Sequence, residues 1–301
     1  MNYLLGIDAG GTKTIVSLYK VDGHLLEQII VGPANVYVDY ENGMQTIKAA
    51  LATIFQKYPA ENCSLILIGI AGLRASQKRQ EIEDYLSQFA IPFDLVSDIE
   101  LAYYAILDGV SEGVLTLAGT GSVTLLKTER AFSYFGGWGQ ILCDDGSAYH
   151  IGLEALKTLA KHEECSNVKD VMLETLSKHL KSHSVADIIK QVQMMNKRQI
   201  ASLAQLVDSY ADQSLLAQEI LVKAGRALAK QTSRAIDFAA KSQDTEISLV
   251  GLTGSVLIHS QTVRETLKQD LLHTYPQLRF KLSDISDHTK AVVNLYQERT
   301  K

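Results

Sequence analysis

The chain has 301 residues, of which 46% are hydrophobic, and a formal net charge of −5. This length is sufficient for two domains, each with its own core. Because Lys and Arg are spread along a mildly acidic chain, nothing predicts a nucleic-acid partner or an anionic membrane surface. No apolar run approaches the roughly 18 residues of a membrane span, and the N-terminus lacks a signal-peptide pattern, so we expect a cytoplasmic protein.

The first part of the chain alternates between strand and helix patterns. Apolar runs over 3–7, 15–21 and 25–31, the last two separated by Asp22-Gly23, predict a three-stranded antiparallel meander. Apolar residues at spacings of three and four between 44 and 58 predict an amphipathic helix. The predicted elements that follow are a buried strand over 64–70, a helix capped by Ser76, a buried strand over 93–97 and a helix from Asp98 to about Asp108. The predicted order is therefore βββαβαβα.

The second part of the chain repeats the start of the first. An apolar run over 114–118 enters a turn, Gly119-Thr120-Gly121-Ser122, and a further run over 123–126 leaves it. Residues from about 147 to 242 are poor in glycine and have helical spacing, and a strand pattern resumes over 246–250. We therefore predict an α/β protein of two duplicated domains, 1–110 and 111–286, with a mostly helical insertion in the second.

The first glycine turn, within residues 5–14, has the composition of a phosphate-binding loop. It is one residue out of register with the P-loop pattern and leads into a strand, which excludes a P-loop. In a β-hairpin clamp, the turn would present to phosphate the backbone N–H groups of Gly10 and Gly11, the Thr12 hydroxyl and the Lys13 charge. Asp8 would then be a ligand of nucleotide-bound Mg²⁺, because a carboxylate beside polyphosphate requires an intervening cation.

An ordinary glycine hairpin, with Asp8 as a turn cap, is the alternative for this turn taken alone. The second turn, Gly119 to Ser122, occupies the equivalent place in the second half of the chain. Two such hairpins would grip one polyphosphate across a cleft. The pair therefore favours nucleotide binding over an ordinary hairpin.

Three motifs, in order, resemble those of the actin-like ATPase superfamily of sugar kinases, Hsp70-type chaperones and actin. Residues 5–14 resemble its first phosphate motif, residues 117–122 its second, and residues 249–256, with Gly251, Gly254 and Ser255, its adenosine motif. The resemblance implies duplicated actin-like (ribonuclease H-like) domains with a nucleotide cleft between them and ATP as cofactor. It also implies that a final helix in 287–301 returns to the first domain.

A more specific resemblance lies in Gly136-Gly137-Trp138-Gly139 and in residues 144–149. This loop closely resembles that of the N-acetylglucosamine kinase and BadF/BadG/BcrA/BcrD ATPase family, and Gly69-Ile70-Ala71-Gly72 extends the similarity over essentially the whole chain. The repressor/open-reading-frame/kinase family has a similar opening but normally carries a cysteine-rich zinc motif, which this sequence lacks.

In the amino-sugar kinases the general base is an Asp that ends a strand, and the resemblance assigns this role to Asp98. The pattern around it agrees, because a residue between a buried strand and a helix lies at the ligand-binding edge of an α/β sheet. A helix N-cap is the alternative for Asp98. The sugar contacts implied by the resemblance are Asn35, Gly72, Asp98, Gly137, Trp138, Gly139 and Asp144. For Trp138, a core position is equally compatible with the sequence.

The implied activity is ATP- and Mg²⁺-dependent phosphorylation of an amino sugar by a homodimer. N-acetylglucosamine, N-acetylmuramic acid and glucosamine remain open as substrates, with the 6-hydroxyl as the expected acceptor. Two departures from the family pattern, Val123 and the glycine-free segment 210–213, leave the substrate and adenine contacts open. His150 and the seven other histidines are expected to be surface or satisfied residues.

Two other functions fit part of the pattern. The first is an ATPase that activates a radical dehydratase through an iron–sulfur cluster, but Cys63, Cys143 and Cys165 have none of the usual cluster spacings and are expected to be packing residues. The second is a non-catalytic nucleotide or sugar sensor. The presence of both Asp8 and Asp98 favours a kinase over this sensor.

Overall fold

The computed structural model describes residues 2–165, 169–182, 184–285 and 287–300. The chain forms two compact units. Unit 1 comprises Met1–Ser111 and Ile285–Lys301, and unit 2 comprises Glu112–Asp284. Each unit has its own hydrophobic core built on its own sheet.

The five strands of unit 1 form one mixed sheet in the order β3-β2-β1-β4-β5. Their bounds are β1 Tyr3–Ala9, β2 Thr14–Lys20, β3 Leu25–Val31, β4 Cys63–Ile70 and β5 Phe93–Ser97. Strands β1 to β3 pair antiparallel, whereas β4 lies parallel to both β1 and β5. The meander and the predicted order of elements are confirmed.

Four helices accompany this sheet: α1 Tyr40–Lys57, α2 Arg79–Ser87, α3 Asp98–Ile106 and, near the C-terminus, α11 Ala291–Arg299. Helix α11 packs against α3. The prediction that Ser76 caps the second helix is wrong. The hydroxyl of Ser76 donates to the Leu73 carbonyl, and Gln77, at φ 53°, separates this turn from the helix that begins at Arg79.

The sheet of unit 2 repeats that of unit 1, with the order β10-β9-β6-β7-β8. Its strands are β6 Gly113–Ala118, β7 Ser122–Lys127, β8 Phe132–Gly136, β9 Leu249–Thr253 and β10 Arg279–Leu282. Strands β6 to β8 form an antiparallel meander, and β9 lies parallel to both β6 and β10. The predicted duplication is confirmed, although the resumed strand begins at Leu249, three residues after the predicted start.

The insertion between β8 and β9 is helical throughout its described regular structure. Its helices are α4 Ala148–Cys165, α5 Val171–Leu180, α6 Val185–Met194, α7 Lys197–Ser209 and α8 Leu215–Gln243, and α9 Ser255–His259 and α10 Gln261–Thr274 follow β9. Helices α4 and α7 pack closely, since a Cβ on Gly152 would overlap the carbonyl oxygen of Ile200. None of the described helices combines the length and the apolarity that crossing a bilayer would require.

This close packing generates a stability prediction. Gly152→Ala is expected to lower the free energy of unfolding by about 1–3 kcal/mol, because the added methyl group forces α4 away from α7. In the matched variant Gly43→Ala, the new Cβ would lie 3.5 Å from its nearest neighbours. Since Ala is the better helix former, that change should be neutral or stabilising by up to about 1 kcal/mol. Urea unfolding followed by circular dichroism compares the two, and equal effects would contradict the close packing.

Candidate active site

The first glycine turn joins β1 to β2 in unit 1. The Gly10 N–H donates to the Lys13 carbonyl at 3.0 Å, and the Gly10 carbonyl accepts from the Ala34 N–H at 2.9 Å. Gly11, Thr12 and Lys13 lie exposed at the tip. The tip therefore presents Gly11, Thr12 and Lys13 to solvent on a backbone that is fixed at its base. The Gly10 N–H, also predicted to bind phosphate, is instead engaged by the Lys13 carbonyl.

Asp8 lies near the end of β1, where its side chain is 14% exposed. Its Oδ2 is 3.1 Å from Nδ1 of His288 and also accepts from the His288 backbone N–H at 3.4 Å. His288 is therefore a satisfied residue, as expected, but its partner is the candidate metal ligand Asp8, which the sequence did not indicate. The expectation fits His150, whose Nδ1 accepts from the Gly146 N–H at 2.9 Å.

Asp98 follows β5 and is the first residue of α3. Ser97 caps this helix: its hydroxyl accepts from the Glu100 N–H, and the Glu100 carboxylate accepts from the Ser97 N–H. The alternative that Asp98 is the cap is therefore wrong. Its own Oδ1 accepts from the adjacent Ile99 N–H at 3.0 Å, and the residue is exposed to solvent even though protein atoms crowd around its carboxyl.

The surroundings of Asp98 raise the pKa of its carboxyl. The main cause is desolvation by the protein around the carboxyl, and the negative charge of Asp8 raises the pKa further. The hydrogen bond from the Ile99 N–H and the charge of His288 lower the pKa, but by less. A carboxylate with a raised pKa is a better proton acceptor than an ordinary surface carboxylate. Unit 1 thus places a potential base within electrostatic range of the candidate metal ligand Asp8.

Asn35 and Gly72, two predicted sugar contacts, lie together beside the first turn. A Cβ on Gly72 would be 2.5 Å from Asn35 Oδ1, and a Cβ on Gly11 would be 3.9 Å from Asn35 Nδ2. The Oδ1 atom already accepts from the Tyr37 and Val38 N–H groups, at 3.0 and 3.1 Å. The amide nitrogen of Asn35 is therefore the group directed toward the turn.

The second glycine turn, in unit 2, is fixed by the first residues of α4. The N–H groups of Ala148 and Tyr149 donate to the carbonyls of Gly119 and Thr120, at 2.9 and 3.4 Å, and the Gly119 N–H donates to the Gly121 carbonyl. Thr120 is exposed. Ser122, in contrast, is 2% exposed, and its hydroxyl donates to the Asp145 carbonyl at 2.8 Å, so this hydroxyl stabilises the neighbouring loop.

The adenosine motif contacts this second turn. Gly251 lies inside β9, whereas Gly254, at φ 92°, separates β9 from α9. A Cβ on Gly254 would be 2.5 Å from the Ala118 carbonyl oxygen, and Ser255 Oγ lies 3.9 Å from the Cβ position of Gly119. The ends of the parallel strands β6 and β9 therefore bring the two motifs together.

A cavity of about 410 Å³ opens beside these two turns within unit 2. This volume is within the range of small-molecule sites. Thr120 and Ser255 line it, as do residues that the sequence analysis did not identify. Half of these lie on α7, namely Arg198, Ala201, Ser202, Ala204, Gln205 and Asp208, and the others are Ala148, Ile151, Leu221, Val256, His259 and Ser260. In the sequence, the spacings of three and four along α7 show that the α7 residues share one face of a helix, but they do not show what that face contacts.

The glycine loop Gly136–Gly139 begins at the last residue of β8 and has left-handed backbone at Gly136, Gly137 and Gly139. Trp138 is 59% exposed, so the alternative that it is a core residue is wrong. A Cβ on Gly137 would be 3.0 Å from Cγ2 of Val123. The departure from the family pattern at Val123 thus lies directly beneath the loop.

Asp144 lies between this loop and the second turn, with its side chain 4% exposed. Its Oδ1 is 3.4 Å from the Ser122 backbone nitrogen, and its Oδ2 forms an ion pair with Lys197 Nζ at 2.6 Å. A Cβ on Gly121 would be 2.9 Å from Oδ1. Direct contact between Asp144 and a sugar stays a prediction, because both carboxylate oxygens are close to protein groups.

Comparison with known proteins identifies the family of the chain. The model of the BadF/BadG/BcrA/BcrD ATPase family matches residues 5–292. The chain belongs to this family. The match confirms the family that the loop motifs indicated and the ATP-dependent chemistry that goes with it.

Several known proteins are similar to the chain over nearly its whole length. An N-acetylmuramic acid/N-acetylglucosamine kinase from Clostridium acetobutylicum is 27% identical over 293 residues, covering 93% of each chain. An N-acetyl-D-glucosamine kinase from Dictyostelium discoideum is 23% identical over 290 residues, covering 90% of this chain and 91% of its own. A solved structure from Chromobacterium violaceum, provisionally named an N-acetylglucosamine kinase, has a TM-score of 0.70 at 23% identity and covers 99% of both chains. The last comparison supports the fold.

The raised pKa of Asp98 predicts that stability depends on pH in a particular way. A carboxyl whose pKa is higher in the folded than in the unfolded protein contributes stability below its unfolded pKa, roughly 4, and this contribution is lost as the pH rises through the folded pKa. Asp98→Asn, which cannot ionise, should therefore have a higher melting temperature than wild type at pH 7, and the difference should vanish toward pH 4.

The matched control is Asp22→Asn. Asp22 lies in an exposed turn where the His24 N–H lowers the pKa of its carboxyl, so its replacement should give no gain at pH 7. Differential scanning calorimetry across this pH range compares the three proteins. A lower melting temperature for Asp98→Asn than for wild type at pH 7 would contradict the proposed desolvation.

Proposed function

We propose that the chain transfers the γ-phosphoryl group of ATP to a hydroxyl of an amino sugar, with Asp98 as the general base. The observation that carries the proposal is that the Asp98 carboxylate does not cap its helix and has a raised pKa. Ser97 supplies the helix cap, so the Asp98 carboxylate remains available at the end of β5 with a raised pKa. Relatives named as N-acetylglucosamine and N-acetylmuramic acid kinases support the choice of acceptor.

In the proposed reaction, the sugar hydroxyl gives its proton to the Asp98 carboxylate as its oxygen attacks the γ-phosphorus. The bond from the γ-phosphorus to the bridging oxygen breaks, and that oxygen leaves on ADP. The exposed residues Gly11 to Lys13 of the first turn and Thr120 of the second turn would supply donors to the phosphate oxygens. Most of the catalysis would therefore come from positioning and from stabilisation of negative charge.

Asp8 fits a Mg²⁺ ion that is bound together with the nucleotide. Among the described residues, no three His, Cys, Asp or Glu side chains cluster as a metal site. A single carboxylate, with phosphate oxygens and water completing the ligands, is the usual protein contribution to nucleotide-bound Mg²⁺. The ion would neutralise charge on the phosphates, while His288 would hold the Asp8 carboxylate in place.

The cavity in unit 2 would bind the nucleoside. It adjoins the second phosphate turn at Thr120 and the adenosine motif at Ser255, as a nucleoside attached to bound phosphates requires. The face of α7 with Arg198, Gln205 and Asp208 would contribute the polar contacts. This assignment gives the helical insertion a direct part in ATP binding.

The loop at Trp138 and the side chain of Asn35 would contact the sugar. An exposed indole offers a flat apolar surface for a sugar ring, and amide groups pair with hydroxyls. N-acetylglucosamine is the substrate best supported by the relatives, with N-acetylmuramic acid and glucosamine as the other candidates. We propose the 6-hydroxyl as the acceptor.

The dehydratase-activating ATPase is disfavoured by the environment of Cys63. This thiol is buried in the core of unit 1, and burial raises its pKa to about 12. Iron–sulfur clusters are bound by thiolates, and such a thiol does not ionise readily. Cys63 is therefore a packing residue, as expected.

The test of the kinase proposal is ADP release, measured with a coupled assay and N-acetylglucosamine, N-acetylmuramic acid, glucosamine or glucose. We expect sugar-dependent ADP release with at least one amino sugar, and a fall in kcat of roughly 10²–10⁴ for Asp98→Asn because the general base is lost. Asp22→Asn should match wild type. Wild-type turnover by a folded Asp98→Asn protein would remove Asp98 from the mechanism, and no sugar-dependent ADP from the folded wild type would refute the proposal.

His288 should set the Mg²⁺ requirement of the reaction. We expect His288→Ala to raise the Mg²⁺ concentration for half-maximal activity by about 10–100-fold, the usual effect of losing a residue that orients a metal ligand. His288→Asn, whose amide can still donate to Asp8, should recover much of this loss. Replacement of the exposed His24 by Ala is the control and should have no effect. An unchanged Mg²⁺ dependence in His288→Ala would show that His288 does not act through Asp8.

A further inference from the structure

The ion pair between Asp144 and Lys197 joins two parts of unit 2 that have different proposed tasks. Asp144 follows the sugar loop and contacts the second phosphate turn. Lys197 is the first residue of α7, whose next residue, Arg198, begins the face that lines the proposed nucleoside cavity. The 2.6 Å contact between Lys197 Nζ and Asp144 Oδ2 therefore connects the two.

This pair differs from the surface ion pairs of the same unit in its burial. The side chain of Asp144 is 4% exposed and that of Lys197 is 35% exposed. Exposed pairs such as Glu154 and Lys157 contribute little, because water and salt screen them. A nearly buried carboxylate depends far more on its partner, since loss of that partner leaves a desolvated charge.

The start of α7 is fixed by a reciprocal helix cap. Asn196 caps the helix in a reciprocal arrangement with Gln199: the Asn196 side chain accepts from the Gln199 N–H at 3.0 Å, and the Gln199 side chain accepts from the Asn196 N–H at 2.8 Å. The Lys197 ammonium thus extends from a fixed backbone position. A ligand that shifts the face of α7 would also shift the group that holds Asp144.

We propose that Lys197 is a positioning residue that couples nucleotide binding to sugar binding through Asp144. The inference rests on the proposed kinase function and adds to it a route between the two substrates. A nucleotide in the cavity fixes α7, Lys197 then fixes the Asp144 carboxylate, and Asp144 fixes the junction between the sugar loop and the second turn. By linkage, the sugar must strengthen nucleotide binding by the same factor.

The chain carries its own reporter for this coupling. Trp138 is its single tryptophan and lies exposed in the sugar loop. Its fluorescence can follow titration with N-acetylglucosamine, with and without a saturating non-hydrolysable ATP analogue and Mg²⁺. The ratio of the two sugar dissociation constants measures the coupling, independently of turnover.

We expect a ratio of about five or more in wild type, the lower range of measured couplings. The ratio should be close to one in Lys197→Met, and Lys197→Arg should retain most of it because the ion pair can re-form. Lys157→Met breaks an exposed ion pair of the same insertion and should keep the wild-type ratio. If Lys197→Met does not fold, the double variant Asp144→Asn/Lys197→Met removes the unpaired buried charge, and its ratio should also be close to one.

The possible failures are distinguishable. A wild-type ratio in Lys197→Met, or a ratio close to one in a wild-type protein that binds and phosphorylates the sugar, would overturn the coupling and leave the kinase proposal intact. A wild-type protein that neither binds nor phosphorylates any of the four sugars would overturn both proposals. Loss of the ratio in Lys157→Met as well would assign the effect to general weakening of the insertion, against a role for Lys197.

Discussion

The close backbone approach between the ends of β6 and β9 is the constraint on which the proposed nucleotide site of unit 2 depends. A side chain on Gly254 would collide with the Ala118 carbonyl, so only glycine lets the turn after β9 lie against the turn after β6. Because the two strands are parallel, both turns emerge at the same edge of the sheet. Helix α4 then fixes the second turn through Ala148, and α7 completes the wall of the cavity.

Unit 1 also brings the ends of two parallel strands together at one edge of its sheet, but the side chains there are different. Strands β1 and β4 are also parallel, and the Ala71 N–H donates to the Ala9 carbonyl at 2.8 Å beyond their paired ends. This edge carries carboxylates instead of a cavity. Asp8 lies near enough to Asp98 for its charge to raise the pKa of the Asp98 carboxyl, which disfavours the ionised form of Asp98 in the folded protein and would prepare it to accept a proton. Such a cost in folding free energy is common at functional sites.

Much of this fold could be predicted from the sequence, because its signals are local. The apolar runs and the Asp22-Gly23 hairpin predicted the first meander, and the similar glycine turn at Gly119 to Ser122 predicted the duplication. The third strand of the second meander, β8, was not predicted. Local patterns also misled: Ser76 has the chemistry of a cap, but a left-handed Gln77 ends its turn before α2 begins. Nothing in the residue types near position 76 distinguishes these outcomes.

The residues of the candidate site were harder to predict from the sequence, because those that the prediction missed come from distant parts of the chain. His288 meets Asp8 across 280 positions of sequence, and Lys197 meets Asp144 across 53. Neither residue lies in a recognisable motif, and each acquires its partner only when the sheets and helices pack. Trp138 could not be assigned from sequence either, since its exposure depends on the left-handed glycines around it.

The central claim, that phosphate goes from ATP to a sugar and not to water, is tested most directly by ³¹P NMR of the complete reaction with ATP, Mg²⁺ and N-acetylglucosamine. We expect ADP and a sugar phosphate monoester in equal amounts, with the ester signal split by the two protons of carbon 6 when proton coupling is retained. Equal amounts of ADP and inorganic phosphate, with no sugar ester, would contradict the claim and identify the protein as an ATPase.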